Sequence, residues 1–188
     1  RDRGDYERAR AFHEESLALR RELGDKHMIA TSLNNLANVA ADQGDYALAR
    51  AFHEESLNLY RELGDRTGTA YLLDNLGGDL QYEGEYARAM TLHEESLALC
   101  RELGNTSGMR SALLNLGVAA QSLGDYERAR MLLEESLALG QELKDRGSVA
   151  LALVHLGIVA QHQGALIQAA TLCRQSLVLF WEVGDKRR

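Results

Sequence analysis

A 40-residue period runs through the whole sequence and constrains every other reading of it. Gly4-Asp5-Tyr6, Gly44-Asp45-Tyr46, Gly84-Glu85-Tyr86 and Gly124-Asp125-Tyr126 mark successive copies, and Gly164-Ala165-Leu166 keeps the register in a degraded fifth. Residues 4–25 and 44–65 are identical at 18 of 22 positions. A Glu-Glu-Ser-Leu block recurs from Glu14, Glu54, Glu94 and Glu134, and decays to Arg174-Gln175-Ser176-Leu177. A chain of this kind stacks one supersecondary unit on the next, because a single unit cannot bury its own apolar face.

Each period reads as two helices. The first is expected from about His27 to Gln43, with Leu33, Leu36 and Ala37 on one face at helical spacing. Gly44 supplies a left-handed stop, and Asp45 caps a second helix from Tyr46 to about Leu63. Ala49, Phe52, Ser56, Leu57 and Leu59 form the apolar stripe of that second helix. The composition agrees: there is no proline, and Ala, Leu, Glu and Arg dominate, all of which lose little on entering a helix.

Charge narrows the partners. With 28 acidic and 21 basic residues the formal charge is −7, which opposes a nucleic-acid partner that must be met by clustered Lys and Arg. Cys100 and Cys173 occupy different repeat positions, so no disulfide or metal site is expected, and a reducing, cytoplasmic setting is the simpler one. No basic segment followed by an apolar stretch opens the chain, and the most apolar run, 149–160, is short and interrupted by His155, so no membrane association is expected.

Leu33, Leu36, Ala37, Ala49 and Ser56, with the Leu-Gly pairs Leu76-Gly77, Leu116-Gly117 and Leu156-Gly157 and the small residues Ala89, Ala129 and Ala169, resemble the signature of the tetratricopeptide repeat. The resemblance covers the whole chain. It departs at the large aromatic of helix two, here His53, His93, Leu133 or Cys173, and at the missing terminal proline. The period is six residues longer than the 34 of the family norm, as in the arrays of kinesin light chains, mitotic-spindle scaffolds and the sensor arms of some bacterial regulatory ATPases. The resemblance implies an all-α, right-handed superhelical solenoid of antiparallel helix pairs, with about nine helices. On this register residues 1–188 form a single array. An unpaired second helix occupies 1–26, followed by pairs at 27–66, 67–106, 107–146 and 147–188. A start in mid-repeat is what a piece of a longer array would show. The last helix is unusually apolar through Leu177, Leu179, Phe180 and Trp181, so either more chain follows or this face self-associates.

In such arrays the first helices line a concave groove. Carried over, the groove positions are Thr31, Asn34, Asn35, Asn38, Ala41 and Asp42, then Tyr71, Asp74, Asn75, Gly78, Gln81 and Tyr82. The third pair gives Ser111, Leu114, Asn115, Val118, Gln121 and Ser122, and the fourth Leu151, Val154, His155, Ile158, Gln161 and His162. Asn35, Asn75 and Asn115 form a ladder at one repeat position, continued by His155. An amide carries both donor and acceptor, so the ladder either pairs with the backbone of an extended ligand or bonds to a neighbouring helix. The groove is polar and mildly acidic toward its N-terminal half and apolar toward its C-terminal half. The absence of Lys and Arg there opposes the clamping of acidic chain ends. The fitting ligand carries basic or polar residues at one end and apolar anchors at the other, as a helix or an extended segment.

Other chemistry is not supported. His13, His53 and His93 precede Glu-Glu, but the second histidine of a zinc-protease motif is replaced by Leu17, Leu57 or Leu97. Repetition puts the glutamates on a solvated convex face, and Gly77-Gly78-Asp79 lacks the Lys-Ser/Thr of a phosphate loop. No nucleophile–base constellation is present, so neither an enzyme nor a cofactor is expected. The leading function is an interaction scaffold for a peptide or protein segment. The alternative is the sensor arm of a signalling ATPase or transcription regulator.

Overall fold

The computed structural model describes residues 3–185, with side-chain surroundings for 12–184. The outermost bounds assigned to the array, 1–2 and 186–188, lie outside the described residues. Among the described residues there are nine helices and no strand: α1 (Arg3–Leu23), α2 (Lys26–Asp42), α3 (Tyr46–Glu62), α4 (Arg66–Tyr82), α5 (Tyr86–Glu102), α6 (Thr106–Ser122), α7 (Tyr126–Glu142), α8 (Arg146–His162) and α9 (Leu166–Asp185). Helices α2 and α3 start and stop within one residue of the bounds expected from the repeat.

Two residues join α1 to α2 and three-residue connections make the later turns, of which the one after α2 shows how. Gly44 takes φ of +82°, a conformation that costs an L residue steric strain and glycine almost none. Its N–H bonds the Ala41 carbonyl while the Asp45 N–H reaches back to Ala40, closing two otherwise orphaned carbonyls. The Asp45 carboxylate then accepts from the Leu48 N–H at 3.1 Å and opens α3. Asp25, Asp65, Asn105, Asp125 and Asp145 cap α2, α4, α6, α7 and α8 in the same way.

The chain divides into two compact units, Arg1–Glu85 and Tyr86–Arg188. In the first, Leu17, Ile29, Leu33 and Leu36 form a buried cluster with Phe52 and Leu59 against it, and Ala37, Ala40 and Ala49 continue the core. Leu33 is fully buried, which contributes about 1.5–3 kcal/mol relative to exposure. Ser56 lets α3 approach α2 closely and satisfies its buried hydroxyl on the Ala30 carbonyl at 2.8 Å. In the second unit, Leu97, Ala112, Leu113 and Leu116 form one cluster, and Ala129, Leu133, Leu156 and Val159 form another. Gly117 is required by close approach: a Cβ there would stand 2.6 Å from Leu133 Cγ.

The repeated glutamates are exposed, and ion pairs join successive second helices. Arg21 meets Glu55 at 2.7 Å in the first unit, and Arg101 meets Glu135 at 3.2 Å in the second, each 34 residues apart. These pairs are solvated and contribute well under about 1 kcal/mol each. Helix α9 leaves Ile167, Leu177 and Trp181 exposed. No helix of the described residues is long and apolar enough to cross a membrane.

Candidate peptide-binding faces

In the first unit the face is built by α2 and α4. Cap and period place residues 31, 34, 35, 38, 41 and 42 of α2 along one stripe, and all but Asn34 keep some exposure. Asn34 is buried, and its Oδ1 accepts from Asn75 Nδ2 at 2.9 Å. The Asn75 amide is thus tied to the neighbouring first helix through one of its hydrogens. Its Oδ1 and second N–H remain the groups with which it could meet a peptide unit. Asp74 and Asn115 also interact with neighbouring groups. Asn35 is half-buried and Asn38 exposed.

Two tyrosines give this face its flat surfaces. Tyr71 is 55% exposed. Tyr82 is also exposed, but one side of its ring stacks on Tyr46 with centroids 4.8 Å apart, so only the other side is open to a partner. Asp42 is exposed and Asp74 half-buried, leaving the face polar and without a Lys or Arg at the assigned positions.

In the second unit the face belongs to α6 and α8. Leu114, Val118, Val154 and Ile158 are half-buried, Leu114 leaning on the Ala129–Leu133 cluster, and Leu151 is 42% exposed. Asn115 is half-buried at the same repeat position as Asn75. His155 continues that position. Its Nδ1–H donates to Gln121 Oε1 at 3.2 Å, which joins α8 to α6, and burial holds its pKa below the ordinary 6.5. His162 stacks on Tyr126 with centroids 4.8 Å apart, the counterpart of the Tyr82–Tyr46 stack.

The sequence reading missed Asp79. It lies inside α4 with its side chain 5% exposed and its Oδ2 2.6 Å from His53 Nδ1, itself 2% exposed. His53 Nε2 is buried without a partner. The signal was available: Val39, Ala119 and Val159 hold the equivalent position, so an aspartate there announces a buried polar partner. Among the described residues no group of three or more His, Cys, Asp or Glu is placed to hold a metal ion.

The sequence profile of the tetratricopeptide repeat matches residues 1–62, 28–102 and 108–180. No functionally curated protein matches the chain. Among solved structures the fold is similar to BtubC (BKLC) from P. vanneervenii, at a TM-score of 0.83 and 24% identity over 96% of this chain and 75% of that one. It is also similar to a Rap protein complexed with Competence and Sporulation Factor, at 0.81 and 18% over 95% of this chain and 51% of that one. A third similar structure is a putative kinesin light chain from Podosopora anserina with nearly identical TPR-like repeats, at 0.73 and 19% over 96% and 89%. At these identities the likeness concerns the fold.

Proposed function

Because the chain belongs to the tetratricopeptide-repeat family, whose arrays typically serve as protein-interaction scaffolds, we propose that it binds a peptide or protein segment on the exposed stripes of its first helices and performs no catalysis. The observation that carries the reading is the exposure of large side chains where a soluble helix would otherwise be polar. Tyr71 and Tyr82 stand out on α4, and Leu151 stands out on α8 beside half-buried Val154 and Ile158. The Rap neighbour complexed with its factor supports the category.

The two faces ask for different ligand chemistry. Asp42, Asp74 and the asparagines of the first unit suit polar or basic residues, with Tyr71 as a stacking surface. Leu114, Val118, Leu151, Val154 and Ile158 of the second suit apolar anchors. Asn35, Asn75, Asn115 and His155 are taken as orienting groups, Asn75 with the capacity left by its bond to Asn34. The protein is taken to work in the cytoplasm, where its free Cys100 and Cys173 stay reduced.

The test is a pull-down from the host comparing the parent with a Tyr71→Ala, Leu151→Ala variant, followed by affinity measurement on whatever the parent captures. Both side chains are exposed, so the variant should keep the parent's helicity and melting. Loss of two anchors should weaken binding at least about tenfold. An unchanged affinity in the folded variant would place binding elsewhere and end this reading.

A further inference from the structure

Three residues of the second unit break the repeat's own pattern, and the fold brings them together. Arg110 stands where the other first helices carry the buried Ala30, Ala70 and Ala150. Gly140 stands where the other second helices carry Arg20, Tyr60, Cys100 or Phe180. Lys144 stands where turns carry Gly24, Gly64 and Gly104, and it adopts their left-handed backbone at φ of +55°. It is the one non-glycine described residue to do so, and a lysine enters that region against steric resistance.

The consequences are spatial. With no side chain at 140, an open cleft of about 400 Å³ remains, walled by Gly140, Gln141, Lys144, Arg146 and Val149. The Arg110 stem lies alongside, its Cδ 3.7 Å from where a Cβ on Gly140 would stand. In the first unit Tyr60 fills the corresponding place and is itself buried.

Charge accumulates at the same spot. Arg146 is paired with Glu182 at 2.6 Å, and Arg110 Nη2 lies 3.6 Å from Asp145, whose carboxylate is already engaged by the Ser148 N–H and hydroxyl. Lys144 has no side-chain partner among the described residues. The buried Arg110 Nε–H, one bond beyond that Cδ, has no acceptor. Arg110 and Arg146 thus each have a carboxylate within ion-pair distance, which leaves Lys144 as the cation of the three without one. A cleft walled by an unpaired ammonium group, with a second guanidinium close by, is the electrostatic complement of an anion.

We propose that this cleft binds a small organic oxyanion, a carboxylate or phosphate on a short carbon skeleton, separately from the first-helix faces. Lys144 and Arg146 meet the charged oxygens, the Arg110 guanidinium adds long-range attraction, and Val149 with the arginine stem receives the carbons.

The experiment is a ¹⁵N-resolved NMR titration of the 188-residue chain with phenyl phosphate and, separately, benzoate, against sodium chloride at matched ionic strength. Saturable shifts of the Lys144 and Gly147 amides and the Arg110 Nε–H signal are expected with at least one probe, and the responding probe identifies the preferred oxyanion. Lys144→Gly restores the residue the other turns use, so it keeps the fold, and it should bind about tenfold more weakly. Shifts that never saturate, shifts that chloride reproduces, or parent-like affinity in Lys144→Gly would overturn the proposal.

Discussion

Residues 53 and 79 in the first unit and residues 133 and 159 in the second hold the same two repeat positions, yet opposite physics joins them. His53 and Asp79 are buried and bonded at 2.6 Å, whereas Leu133 and Val159 are equally buried within one apolar cluster. The backbone plan tolerates both. The difference is in how each responds to loss of a partner. An apolar pair loses contacts in proportion to what is removed, while a polar pair strands a desolvated group.

The comparison breaks most sharply with His53→Leu, which leaves the Asp79 carboxyl buried without its donor. Urea denaturation should show a loss of about 3–5 kcal/mol. Adding Asp79→Val converts the site to the chemistry of the second unit. The double variant should recover parental stability or exceed it by about 1–4 kcal/mol, since a well-packed apolar pair avoids the desolvation cost. A double variant as unstable as the single would mean the first unit cannot repack around leucine and valine.

Gly78 sharpens the comparison on a smaller scale. Val118 and Ile158 occupy its position in the second unit, and a Cβ added at Gly78 meets nothing within 4 Å. Gly78→Ala should therefore stabilise the protein by about 0.5–1 kcal/mol through helix propensity alone. Thermal melting reads this directly.

The smallest effect is a pH slope in the second unit. Burial lowers the His155 pKa below 6.5, so between the folded and unfolded values the unfolded chain binds more protons. The contribution is complete above the unfolded value and is lost as pH falls through the folded one. Urea midpoints measured between about pH 7.5 and about pH 5.5 should fall with acidification, and less steeply in His155→Asn.

How much of this was legible beforehand depends on whether a feature lies along the chain or across it. Helix ends were readable because Gly44 and Asp45 act on atoms within five residues of themselves. The exposed glutamates were readable because repetition puts Glu54, Glu94 and Glu134 on equivalent surfaces. The Asn75–Asn34 bond was not, because it runs diagonally across 41 residues while the ladder was read in phase at 40. The Tyr82 stack on Tyr46 spans 36 residues and halves the surface that a tyrosine on that stripe was expected to offer. Asp79 and Arg110 were hidden in a different way. Each stands out only when set against the alanines and valines of the other copies.

The sameness of the copies poses a problem during folding that the buried polar pair helps to solve. With residues 4–25 and 44–65 alike at 18 of 22 positions, a nascent helix can dock on the wrong copy and find nearly the same groove and the same surface charges. An α4 wrongly docked on the copies that carry Leu133 or Cys173 at the histidine position would leave the Asp79 carboxyl stranded. His53 and Asp79 thus act as a partial registration mark: the pair rejects the copies that carry Leu133 or Cys173, while those that carry His13 and His93 must be told apart by other contacts.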